Sequence, residues 1–124
     1  MSSLTNYARN ILARVLCGRT PVLPTQVFMA LGSGGSVSTG LSNEPVGNGY
    51  ARQRVTFTGT GVQQNAEPVR FTFNGAAGTM THCGMYDAPT GGNALTWAPL
   101  AQPVSVGGPG TVTINPGGLT ISGS

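Results

Sequence analysis

Lysine is absent from this chain, and the other residues that carry most protein chemistry are scarce. Its 124 residues include one histidine, two cysteines and three acids, and charged residues make up only 7%, against a usual share of about 25%. Each scarcity excludes something. A structural zinc site wants four Cys or His ligands at tight spacings, and Cys17, His82 and Cys83 are three in total. Two cysteines 66 positions apart give no disulfide framework; as free thiols they behave as small hydrophobes. A glycosidase needs two placed carboxylates, and Glu44, Glu67 and Asp87 are the whole supply. GSGGSVSTG (32–40) lacks the Lys-Ser/Thr ending of a phosphate loop. A Gly-x-Ser-x-Gly hydrolase elbow would lack its partners too, because there is no second histidine and the lone His82 precedes the nearby acid. No apolar run approaches a membrane span. No export signal is legible, because Arg9 and Arg14 interrupt the N-terminal apolar pattern. The composition points to no enzyme, no metal and no cofactor.

What the chain does have is 20 glycines and 9 prolines set between short apolar runs, the signature of strands and turns. The length fits a single domain, 1–124. Residues 3–17 repeat Leu4, Tyr7, Ala8, Ile11, Leu12, Val15 and Leu16 at helical spacing. Ser2 or Ser3 is placed to cap the helix start, Gly18 stands at the C-terminal cap, and Pro21 forbids continuation. Two readings of the helix stay open: it packs on its own domain, or it docks another subunit. Residues 25–31 form a compact apolar strand. Residues 32–49, rich in Gly, Ser and Asn, read as an exposed loop and a candidate contact arm, with Ser33, Asn43 and Asn48 as its polar contacts. Glu44 and Glu67 lie on loops without a visible partner.

Strands follow at 50–57, 69–73, 79–86, 94–100, 110–114 and 119–122. The expected fold is mainly β, an antiparallel sandwich or open barrel over 50–122 with one N-terminal helix.

The stretch THCGMYD (81–87) concentrates the only histidine, a cysteine and an acid. Strand alternation puts Met80, His82, Gly84 and Tyr86 on one face and Thr81, Cys83 and Met85 on the other. A thiol must lie within hydrogen-bond reach of its base, so alternation separates His82 from Cys83 and argues against catalysis. The stretch instead runs into a hairpin. Asp87 is placed for local hydrogen bonds, and Gly91, Gly92 and Asn93 supply the turn.

All six cations are arginines, and arginine suits fixed planar contacts. Nucleic-acid binding wants a clustered basic patch with interleaved aromatics, and these arginines are spread out. Arg9, Arg14, Tyr50, Arg52, Arg54 and Arg70 are candidate subunit contacts, with Tyr50, Arg52 and Arg54 on one strand face. An alternative is a receptor- or carbohydrate-binding module that stacks sugars on Trp97, Tyr50 or Tyr86.

The order of motifs resembles a family of small bacteriophage virion proteins of the tail-fibre-like type. The resemblance spans nearly the whole chain: the helix and first strand (4–31), GNGYARQRVTF (47–57), GTMTHCGMYDAPTGGNALTWAPL (78–100) and the closing GTVTINPGGLTIS (110–122). Its most specific parts are YAR and THxGxYD…TGGN. The chain departs from the pattern in carrying Cys83 where a bulky apolar residue is commoner. Its loop after Leu31 is short and nearly uncharged, which argues against an ion-binding role. The resemblance implies a non-enzymatic structural protein of the virion, assembled in the host cytoplasm. It would act as an oligomeric surface module, either a capsid decoration or a tail-fibre or tail-tip subunit. The implied partners are copies of itself (trimers among the forms), major capsid or tail proteins, and a host surface, with no nucleic acid and no membrane.

Overall fold

The computed structural model describes residues 3–36 and 38–121; Ser2, a candidate cap, and Val37 and Ser122, each inside a predicted segment, lie outside them. In chain order the elements are β1 (Ser3–Leu4), α1 (Asn6–Leu16), β2 (Val27–Gly32), β3 (Gly34–Ser36), β4 (Gly40–Ser42), β5 (Gln53–Val55), β6 (Phe57–Thr58), β7 (Gln63–Asn65), β8 (Val69–Phe73), β9 (Gly78–Tyr86), β10 (Ala94–Val106), β11 (Gly110–Ile114) and β12 (Thr120–Ile121). The protein is mainly β with one N-terminal helix, as its sequence predicts.

The largest sheet has the order β1-β10-β9-β2-β5, with every neighbouring pair antiparallel. The ribbon β11-β8, the small sheet β12-β7-β6 and the hairpin β3-β4 complete the fold. β8 alternates as a half-buried strand should: Val69, Phe71 and Phe73 are buried, while Arg70 and Thr72 are exposed. Its buried side chains join Met29 and Leu31 of β2, Val55 of β5, and Cys83 and Met85 of β9 in one core. β9 lies at the centre of the large sheet and needs Gly84. A Cβ there would stand 2.6 Å from the Thr96 carbonyl oxygen and 3.0 Å from Leu41 Cγ.

The predicted strand 50–57 is split between β5 of the large sheet and β6 of the small one, and β7 falls outside every predicted strand. Three further parts differ from the sequence expectation. The helix starts at Asn6 rather than residue 3, and its cap is Thr5, not Ser2 or Ser3. Thr5 Oγ1 accepts from the Ala8 N–H at 3.2 Å and donates to the Ala94 carbonyl at 2.6 Å, while the Thr5 N–H donates to Leu95 O. Ser3 and Leu4 pair with Trp97 and Thr96, so tertiary pairing takes two residues that helical spacing would allow. At the other end Gly18 (φ +76) closes a Schellman turn, with Arg19 N–H to Arg14 O and Gly18 N–H to Val15 O.

The second difference lies in 32–49, where Gly34–Ser36 and Gly40–Ser42 pair as a hairpin. Gly and Ser carry no apolar alternation, so periodicity could not show it.

The third lies in β9. Met80 packs in the core with Cys83 and Met85, not on the His82 face. The register against β10 jumps from His82↔Pro99 to Met80↔Val104, and this irregularity resets the alternation.

The C-terminal turn is stitched by a buried polar residue. Asn65, 1% exposed, donates from Nδ2 to Glu67 O and Asn115 O, and its Oδ1 accepts from the Leu119 N–H at 2.9 Å. Its backbone adds bonds to Leu119 and Gly117. Satisfied in this way, a buried amide specifies one arrangement; truncated, it strands its partners. Asn65→Ala is expected to cost about 2–3 kcal/mol in urea-unfolding free energy, whereas an exposed control such as Gln64→Ala should stay within about 0.5 kcal/mol.

Candidate functional site

The densest polar constellation joins the end of the Gly/Ser loop to the start of β5. Arg52 grips Glu44 in bidentate fashion, Nε to Oε2 at 2.8 Å and Nη2 to Oε1 at 2.9 Å. Its Nη1 donates to the carbonyls of Ala88 (3.0 Å) and Gly91 (2.7 Å). The guanidinium carbon sits 3.8 Å from the centre of the Tyr86 ring, a cation–π contact. Tyr50 donates its hydroxyl to Glu44 Oε2 at 2.6 Å and accepts from the Leu31 N–H. The Tyr86 hydroxyl accepts from the Leu41 N–H. The Arg52 side chain is 9% exposed, so solvent screens the pair less than it would a surface bridge.

Burial pushes the Glu44 carboxyl up, but hydrogen bonds from Arg52 and Tyr50 and the nearby positive charge outweigh it and leave it below the ordinary carboxylate value. The bond to Glu44 raises Arg52 further. Burial, then the bond to the Glu44 carboxylate, pushes the Tyr50 phenol strongly up. The carboxylate and guanidinium spend their hydrogen bonds on each other and on the chain. Chemically this is a brace: it has no free base or nucleophile, and it ties the loop to β5 and to the 88–91 turn.

The turn is closed by its own bonds. Asp87 accepts from the Asn93 backbone (2.7 Å) and side-chain (3.2 Å) amides, and the Asp87 N–H donates to Asn93 O. Gly91 (φ +62) and Gly92 (φ +69) take the left-handed conformation, and a Cβ on Gly92 would stand 2.5 Å from Asp87 Oδ1. The loop residues have internal partners as well. Asn43 donates to Ser33 Oγ at 2.9 Å, and Asn48 donates to Ala76 O at 2.7 Å. Arg9, Arg14, Arg54 and Arg70 are exposed and make no ion pair among the described residues.

His82 and Cys83 are not a dyad. Cys83 is buried in the core and its thiol is pushed up to about 11 by burial. His82 bonds Thr81 Oγ1 through Nδ1 at 2.8 Å and stacks on Trp97, with ring centres 6.1 Å apart. No group of three potential metal ligands occurs among the described residues, and no described helix is long and apolar enough to cross a membrane.

A family model described as podophage GP4 fiber I protein gp80 matches residues 3–122. The chain belongs to this family. The gp80 fiber family is a virion component, so the brace, hairpin and exposed arginines belong to a phage structural protein. No curated protein matches the chain.

Sequence reasoning missed Glu44 as the partner of Arg52. The available signal was an isolated acid in a nearly uncharged loop, eight residues before an arginine.

Replacing Arg52 with Ala is expected to destabilise the protein by about 2–4 kcal/mol in urea unfolding; Lys should recover little, because an ammonium lacks the planar fork. Glu44 titrates lower in the folded state, so its contribution is complete above the unfolded carboxylate value of about 4.3 and is lost as pH falls through the folded value. Thermal melts should therefore decline below about pH 4, with a shallower acid decline in Glu44→Gln. In the native protein a thiol reagent should modify Cys17, which is exposed, and reach Cys83 only after unfolding.

Proposed function

We propose that the protein is a non-enzymatic subunit of the tail fibre, present in symmetric copies and attached to other virion proteins. The family match over residues 3–122 carries this reading, because the description of the matched family names a fiber protein, which favours the tail over capsid decoration. The geometry supports it: the most elaborate polar cluster is spent on bracing a surface, not on leaving a reactive group free. Arg54 and Arg70 project from the sheets for contacts between copies. Tyr50 and Arg52 act internally, by holding the loop and the 88–91 turn in place.

The aromatic residues that would stack a sugar are engaged internally. Arg52 covers the ring of Tyr86, Tyr50 stacks on Phe71 and Phe73, and Trp97 stacks on His82 and lies under Gly35. This disfavours the carbohydrate-binding alternative. Cryo-electron microscopy of purified particles should place the chain's density on the tail in symmetric copies. Density on the capsid shell would reassign it to decoration, and its absence from washed particles would refute the virion reading.

A further inference from the structure

The helix covers little of the sheet beneath it. Only Ala8 of α1 is buried; Leu12, Val15 and Leu16 are exposed, Leu16 at 86%, and so are Val22 and Leu23 in the segment that follows. Between α1 and the sheets runs a groove of about 350 Å³, walled by Leu4, Ile11, Leu12, Val27, Phe57 and Leu95. That volume lies at the lower end of the range for ligand pockets, roughly 300–1,000 Å³, and it is concave on the scale of side chains.

Charge frames this apolar surface. At 100° per residue, Arg9 flanks the stripe on the Leu12–Leu16 side and Arg14 flanks it on the Tyr7–Ile11 side. Arg19 is tied back beside Arg14 by its backbone bond, and the two line a common recess. None of the three has an ion pair among the described residues. A second copy of this chain is a poor source of carboxylates for them. Of its three acids, Glu44 is neutralised by Arg52 and Asp87 is turned back onto the Asn93 amides, which leaves Glu67 as the one acid not engaged in this way.

We propose that this groove seats a segment of a different virion chain, apolar in its middle and flanked by carboxylates that pair with Arg9, Arg14 and Arg19. The proposal rests on the virion-subunit reading above. Apolar anchors would supply the buried centre and the arginine pairs a polar rim, the usual division of an interface.

The test places a photoreactive p-benzoylphenylalanine at Leu12, with Thr113 as the control position, in chain incorporated into particles. After irradiation, the Leu12 cross-link should map to another virion protein, within a segment that combines apolar residues with at least two carboxylates. A Leu12 cross-link to a second copy, to lipid or to a segment without acids would overturn the proposal. So would presence of the chain in particles with no Leu12 cross-link. Absence from washed particles would instead overturn the reading beneath it.

In parallel, the triple variant Arg9→Glu, Arg14→Glu, Arg19→Glu should lower incorporation at least about tenfold, since like charges across an interface repel. The triple Arg→Lys variant keeps the charge and should stay within about threefold. The Lys variant should melt within about 2 °C of the parent, and the Glu variant within about 5 °C, because negative charge at the C-terminal end of α1 opposes the helix dipole. Equal incorporation of the Glu and Lys variants would overturn the charge requirement. Leu16→Glu should leave the oligomeric state of the purified chain unchanged in sedimentation; its dissociation would assign the groove to self-contact and overturn the proposal.

Discussion

The surface of this protein depends on one guanidinium. Arg52 makes four hydrogen bonds and one ring contact, and through them it joins two stretches that lie far apart in sequence: the loop at Glu44 and the 86–91 segment that runs from the end of β9 into the turn. Glu44 completes the arrangement by accepting from Tyr50 as well, and the Tyr50 ring stacks on Phe71 and Phe73 of the core. The brace therefore runs from solvent-facing loops to the hydrophobic centre. A Gly/Ser-rich loop has little apolar area with which to dock itself. A charge-assisted, bidentate pair provides direction that apolar burial cannot.

The parts of the fold carried by side-chain alternation were legible in the sequence. Val69, Phe71 and Phe73 declare β8 by themselves, and the Asp87–Asn93 turn declares itself through two adjacent glycines and residues suited to local bonding. What could not be read depended on long-range geometry. The β3–β4 hairpin is built of Gly and Ser apart from Leu41, and such backbone pairing leaves no alternating pattern. β7 is Gln63, Gln64 and Asn65, polar residues that read as loop until Asn65 is seen buried beneath the C-terminal turn. The Glu44–Arg52 pair was hidden because neither residue type says which way it will turn. The helix start was misjudged because Ser3 and Leu4 answer to β10 rather than to the helix.

THCGMYD illustrates why residue content alone misleads. Adjacent positions on an extended strand diverge, and here the thiol goes to the core while the imidazole stacks at a half-buried ring. A chain so poor in acids, histidine and lysine spends its few ionisable groups on geometry. The same economy shapes its outer surface: once Arg52 and Glu44 have neutralised each other, the excess charge lies in exposed arginines, three of them beside an uncovered apolar stripe. Fibre proteins work through contacts, and the distribution of charge and burial is consistent with that kind of work.

The anchoring of α1 has a mechanical consequence. Thr5 binds the helix to β10 at its root, and beyond Ala8 little of it is buried. An eleven-residue helix is about 16 Å long at 1.5 Å per residue, so the element is a cantilever, stiff along its length and fixed at one end. Small rotations at Thr5 become larger displacements at Leu16 and the segment beyond. A subunit joined to a particle through such an arm can meet a neighbour whose position varies, while its braced body keeps its shape.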